Sequence, residues 1–102
     1  MVGIWHLGSI VSACLADLGY VVVGVDQDAN KVADLNKGMP HLFEPGLAEL
    51  IRSNIDSRRL RYATDLGHAV AGSNYVLITF DISVDADDNV DLSEIFDTTI
   101  KL

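Results

Sequence analysis

Three stretches of this sequence combine residue types and spacings suited to a phosphate-bearing ligand. The first is Gly3-Ile4-Trp5-His6-Leu7-Gly8-Ser9. Set against G-x-G-x-x-G, its first and third glycines are Gly3 and Gly8, with Trp5 at the middle position. In that pattern the first glycine allows a tight turn out of a strand, and the second lets a pyrophosphate approach the backbone. The third lets the next helix pack close to the strand. Phosphate then rests on free amides at the helix N-terminus, aided by the dipole. Trp5 leaves those amides available but crowds the approach, so this stretch alone is equally compatible with an ordinary turn.

The second stretch supplies a carboxylate. Asp26 follows Gly8 by 18 residues, where a dinucleotide-binding unit places the acid that accepts hydrogen bonds from the adenosine ribose. A carboxylate there repels a 2'-phosphate, which favours NAD over NADP. An Asp-x-Asp pair is also ordinary helix-capping chemistry. Lys31, one turn further on, lies within reach of the ribose or adenine edge, although spacing alone reads it as a solvated helix lysine. The third stretch, Phe80-Asp81-Ile82-Ser83-Val84, would pass the pyrophosphate and the nicotinamide-side ribose, with no local feature to single out a contact.

Other chemistry finds less support. The run from Asp85 to Asp91 begins like a calcium loop, but Val90 stands where the turn needs Gly and Phe96 where a bidentate Glu is required. It reads as a solvated acidic loop. His6, His41 and His68 lack metal-ligand spacing. His6, beside the glycine turn, could line the site, while His41 and His68 read as surface residues. Cys14 falls on the apolar side of a helical pattern and reads as a small buried hydrophobe. No Ser/His/Asp or paired-carboxylate arrangement stands out.

The elements that must position these residues alternate between two periodicities. Residues 20–25 form a β-branched run, the mark of a parallel strand covered on both faces. Before it, Ile10, Val11, Cys14, Leu15 and Leu18 recur at helical spacing and Gly19 supplies a stop. After it, Asp28 caps a short helix carrying Val32 and Leu35. A turn-rich segment leads into a helix with Pro45 in its first turn, then Leu47, Leu50 and Ile51. A short strand at 60–63, a short helix at 65–72 and a second buried strand at 74–80 follow. Residues 81–89 read as an acidic loop and 90–101 as a helix. Alternating strands and helices of this kind build a parallel α/β sheet, with ligands at the carboxyl ends of its strands.

Composition narrows the class. With 102 residues the chain makes one compact domain, and 49% hydrophobic residues argue against disorder. A net charge of −8 disfavours nucleic acid and anionic membranes as partners. Seven of the acids fall between Asp81 and Asp97, and the other eight face seven bases. The acidity is therefore local, and the anionic nature of the ligand sets it toward solvent. One cysteine cannot form an internal disulfide, and no secretion signal or apolar stretch of membrane-spanning length is visible. The expectation is a soluble, cytoplasmic domain.

Taken in order, these residues resemble the N-terminal domain of the UDP-glucose/GDP-mannose dehydrogenase family. The likeness rests on the glycine turn, on Ala13-Cys-Leu-Ala-Asp-Leu-Gly-Tyr, on Val23-Gly-Val-Asp26, and on Lys31-Val-Ala-Asp-Leu-Asn36-Lys-Gly38. It continues through Glu44-Pro-Gly-Leu47, Leu60-Arg-Tyr-Ala-Thr64-Asp65 and Asp91-Leu-Ser-Glu, over essentially the whole chain. Glu44-Pro45-Gly46-Leu47 is its most specific element, since a generic dinucleotide-binding unit has no need of it. The resemblance implies a partial, Rossmann-like doubly wound parallel sheet in which residues 1–102 form a single NAD-binding domain. It implies NAD contacts from Gly3, Ile4, Trp5, His6, Leu7 and Gly8, from Asp26 and Lys31, and from Asp81 and Ser83 after the last strand. The family oxidises the C6 alcohol of a UDP- or GDP-sugar to a carboxylate with two NAD, through an aldehyde and a thioester on a cysteine. That cysteine and the sugar-binding domain lie downstream of the matched region, and Cys14 does not occupy its position. The family's Thr-Pro pair is Ile82-Ser83 here, and only Met1 and Val2 precede the turn where a strand commonly has about five residues. The expectation is thus a fragment inactive by itself, its nucleotide-sugar substrate and homodimer contacts belonging to the longer chain. Two other readings are a non-catalytic nucleotide-binding module and the N-terminal domain of a β-hydroxyacid or hydroxyacyl-CoA dehydrogenase.

Overall fold

The computed structural model describes residues 1–79 and, as backbone only, the short strands at 83–84 and 90–91. Its elements are α1 (His6–Asp17), β1 (Val22–Val25), α2 (Ala29–Asn36), α3 (Leu47–Asp56), β2 (Leu60–Ala63), α4 (Leu66–Ala71), β3 (Ser83–Val84) and β4 (Val90–Asp91).

β1 and β2 pair in parallel, Val22 opposite Leu60 and Val25 opposite Ala63, with α2 and α3 in the crossover between them. A parallel pair needs such a crossover because its strands start at the same end of the sheet. Val2 bridges in parallel to Val25 on one side and to Ile78 on the other. Across the sheet the order is thus β2, β1, Val2, Ile78. Local chemistry sets the helix ends. Asp28 caps α2, its carboxylate accepting from the amides of Asn30 and Lys31, and Asp65 caps α4 by accepting from the His68 amide. α3 starts at Leu47 after Gly46, so Pro45 precedes the helix rather than occupying its first turn.

The core gathers Ile4, Val22, Val32, Leu35, Leu47, Ile51, Leu60 and Tyr62 with Ala13 and Ala16. The small residues correct the reading of α1. Its buried face is Gly8, Ser9, Ser12, Ala13 and Ala16, while Cys14 and Leu18 are exposed and Ile10 and Leu15 only partly buried. α1 packs against both β1 and α3, and so close an approach admits side chains of one or two heavy atoms and rejects larger ones. The apolar stripe followed the period correctly but chose the wrong face.

Three further expectations change. Tyr20 and Val21 lie outside β1 and are exposed, so the buried strand is four residues long. Residues 74–80 read as a strand covered on both faces, yet Tyr75, Val76 and Leu77 are exposed and only Ile78 bridges. Among the described residues this segment meets the sheet on the Val2 side only. Val90 and Asp91, expected to open a helix, instead form β4, antiparallel to β3 through Val84 opposite Val90. β-branched residues suit that ladder. Asp81, the run at 85–89 and residues 92–102 lie outside the described residues, and with them most of the acidic segment.

Tyr62 gives the core a pH dependence. Its hydroxyl shares a 3.0 Å hydrogen bond with Ser12 Oγ. Burial pushes the phenol above its ordinary value, against a smaller opposing effect of that hydrogen bond. The unfolded chain ionises near the ordinary value of 10.0, while the folded chain still holds its proton. Stability is therefore intact below that pH and falls as pH rises through the folded value. Tyr62→Phe is expected to lower stability by about 1 kcal/mol near neutrality and to flatten the loss above pH 10, read from thermal melts across the alkaline range.

Candidate functional site

The glycine turn stands where the winding of the sheet reverses. Val2 donates to the Leu77 carbonyl (2.6 Å) and Thr79 donates back to Val2 (2.8 Å), while on the other side Gly3 donates to Val25 (2.9 Å). From the first strand the chain goes to β1 and β2 on one side, then returns to Ile78 on the other. In sheets of this kind such a reversal marks the crevice at the carboxyl ends of the strands where ligands usually bind. Gly3 leaves the sheet at φ 88°, a left-handed conformation that L side chains rarely adopt. A methyl group on Gly8 would collide with the Gly3 carbonyl oxygen and lie 2.8 Å from Thr79 Oγ1. Thr79 Oγ1 in turn donates toward the Val2 and Gly3 carbonyls at 3.1 and 2.6 Å. Both outer glycines thus meet the demands the motif places on them.

Trp5 is the N-cap of α1, and its side chain makes no capping hydrogen bond. The first helical bond is from the Ser9 amide to the Trp5 carbonyl (3.1 Å). The amides of His6, Leu7 and Gly8 precede it, at the helix end, and so have no helical acceptor. That is the arrangement a pyrophosphate requires. Ile4 is fully buried in the core, so any cofactor contact from it comes through its backbone. Leu7 is exposed beside the helix end.

At the end of β1, Asp26 faces its neighbours from both carboxylate oxygens. Oδ1 accepts from the Asp28 amide at 2.9 Å, and Oδ2 accepts from Lys31 Nζ at 3.2 Å. The two charged side chains are only 16% and 15% exposed, so Lys31 is not the solvated lysine that spacing suggested. Its ammonium also lies 4.8 Å from the centroid of the Trp5 ring, within cation–π range. His41 meets the same ring with centroids 6.0 Å apart, and its Nε2 lies 3.3 Å from Asp34 Oδ2. The Trp5 ring is thereby drawn sideways toward α2 and the loop after it.

His6 Nε2 and Glu44 Oε1 are 2.7 Å apart, which fastens the Glu44-Pro-Gly-Leu loop to the glycine turn. Sequence reasoning missed His41 and Glu44 as neighbours of this site. Their signal was present only as the unexplained motif at 44–47. The structure therefore brings together Gly3, Ile4, Trp5, His6, Leu7, Gly8, Asp26 and Lys31. Asp81 lies outside the described residues, and Ser83 is described only as backbone in β3. Among the described residues no group of three or more His, Cys, Asp and Glu side chains could hold a metal ion. No helix there is long and apolar enough to cross a membrane.

A parallel sheet with a glycine turn at its reversal point and an acid at the end of the neighbouring strand defines a dinucleotide-binding α/β domain of Rossmann type. The chain belongs to the UDP-glucose/GDP-mannose dehydrogenase family, and it matches the model of that family's NAD-binding domain over residues 1–102. It is 41% identical over 97 residues to a UDP-glucose 6-dehydrogenase of Rhizobium meliloti, covering 94% of this chain and 22% of that protein. With a GDP-mannose 6-dehydrogenase of Pseudomonas syringae pv. syringae it shares 34% identity over 76 residues, 74% of this chain and 17% of the relative. Among solved structures it superposes on a UDP-glucose dehydrogenase from the archaeon Pyrobaculum islandicum with TM-score 0.89 at 31% identity. That match covers 95% of this chain and 22% of the other. A GDP-mannose dehydrogenase from Pseudomonas aeruginosa, solved as a ternary complex, gives TM-score 0.87 at 30% identity, over 92% of this chain and 22% of that one. The chain thus spans about a fifth of the length of these relatives.

Proposed function

We propose that residues 1–102 form one NAD-binding unit serving a nucleotide-sugar 6-dehydrogenase, which oxidises the C6 alcohol of a UDP- or GDP-sugar to a carboxylate. The observation that carries this reading is that the glycine turn at the start of α1 and the Asp26–Lys31 pair at the end of β1 lie side by side, Lys31 Nζ being 4.8 Å from the Trp5 ring. In this reading the backbone amides of His6, Leu7 and Gly8 would hold the pyrophosphate, and Asp26 with Lys31 would hold the adenosine ribose. Asp81 and Ser83 belong to the same proposal, toward the nicotinamide side. When bound, NAD supplies the hydride acceptor. This chain's part is to hold and orient it. Cys14, exposed on α1, takes no part in the chemistry, which rests on a cysteine and a sugar-binding domain contributed by further chain. The homodimer and the cytoplasmic setting belong to that longer enzyme. The hydroxyacyl-CoA alternative has no use for the Glu44-Pro-Gly-Leu loop that His6 fastens to the turn.

Two assays test this. Calorimetric titration of the 102-residue chain with NAD is expected to give one saturable site, and complete absence of binding by NAD and ADP contradicts the reading. Mixing the same chain with NAD and UDP-glucose is expected to give no NADH absorbance at 340 nm (roughly the reduced nicotinamide maximum, a property of the cofactor). Steady NADH formation would place the whole catalytic apparatus within these residues.

A further inference from the structure

Asp26 alone does not account for a preference between NAD and NADP. Its charge is offset by Lys31 at 3.2 Å, both groups largely shielded from water. The pair has no net charge, so it offers little repulsion to a 2'-phosphate. A lysine at this place is, moreover, the side chain a 2'-phosphate would recruit if it were free to turn toward it. What restrains it is the ring at the middle position of the glycine motif. Trp5 stands 4.8 Å from the ammonium and, although 40% exposed, also meets the His41 ring at a centroid distance of 6.0 Å. His41 Nε2 in turn lies 3.3 Å from Asp34 Oδ2 on α2, the helix that carries Lys31.

From this geometry we propose that Trp5 is a positioning residue that sets the choice between NAD and NADP by holding the Lys31 ammonium against Asp26. The proposal rests on the reading of this crevice as the NAD site. A ribose with free hydroxyls meets an ammonium that donates and a carboxylate that accepts, already in place. A 2'-phosphate must pull Lys31 away from both the carboxylate and the ring face. Glycine at position 5 would remove the second of those restraints, and the NADP complex would gain more than the NAD complex.

The test is calorimetric titration of the 102-residue chain with NAD and with NADP, reading the ratio of the two affinities. A partly unfolded variant weakens both ligands by one factor and leaves that ratio unchanged. Trp5→Gly and Trp5→Leu, the second keeping apolar bulk without a π face, are each expected to shift the ratio toward NADP by about fivefold. Trp5→Phe should restore most of the original preference, because a smaller π face is returned. Lys31→Ala in the Trp5→Gly background should cancel the gain for NADP. An unchanged ratio in both Trp5→Gly and Trp5→Leu overturns the proposal while the NAD site stands. A gain that survives Lys31→Ala overturns it too, since another cation would then be taking the phosphate. Binding of neither nucleotide by the unsubstituted chain removes the NAD site and the proposal together.

Discussion

Gly8→Ala is expected to destabilise the chain by about 3 kcal/mol, at the upper end of what an added methyl group costs in a packed interior, and to abolish NAD binding. The added carbon would overlap the Gly3 carbonyl oxygen and crowd Thr79 Oγ1. Neither neighbour can yield cheaply. Gly3 is backbone at φ 88°, hydrogen-bonded to Val25, and Thr79 is tied to the Val2 and Gly3 carbonyls. Relief requires α1 to lift from the sheet, which opens the contacts of Ser12, Ala13 and Ala16 and displaces the amides that face the crevice. Gly72→Ala serves as the control. It ends α4 at an ordinary negative φ, with nothing near the position a Cβ would take, and should stay within about 0.5 kcal/mol of the original. Thermal melts of both variants followed by NAD titration decide the matter. Equal melting temperatures would mean that α1 does not sit as close to the sheet as described.

Asp26→Ala is expected to weaken NAD binding by roughly 1–3 kcal/mol, the scale of a charge-assisted hydrogen bond lost together with the desolvation of its partner. The change removes the acceptor proposed for the ribose and also strands the Lys31 ammonium in a largely shielded place. Asp26→Asn should fall between the two, because its side-chain oxygen can still accept from the Asp28 amide while the ion pair is gone. Titration with NAD reads all three chains. Unchanged affinity in the alanine variant would confine Asp26 to ordering the turn before α2.

The parts of this molecule that were legible in its sequence are those set by local chemistry. Gly3 and Gly8 mark a turn because no other residue fits there, and Asp28 and Asp65 mark helix starts through short-range hydrogen bonds. The parallel arrangement of β1 and β2 followed from the β-branched run of β1, the short apolar strand at 60–63 and the helices between them. What escaped depends on distance and on competition between faces. The α1 stripe of larger apolar residues pointed to burial of Cys14, but the close approach enforced by Gly8 selected the small residues instead. Lys31 looked solvated because nothing nearby in sequence reveals that the Trp5 ring arrives from 26 positions upstream. Glu44 was conspicuous as part of a motif, yet its contact with His6 is made only in the fold. The short strand at Val90 was hidden because its partner, Ser83–Val84, is itself only two residues long.

The proposed NAD site joins the start of α1 to the end of β1. Amide NMR of the 15N-labelled 102-residue chain during titration with NAD tests it most directly. Saturable shifts are expected to concentrate at Trp5, His6, Leu7, Gly8, Asp26 and Lys31, with the exposed end of α3 around Asp56 unmoved. Shifts centred elsewhere, or none at saturating NAD, would contradict it.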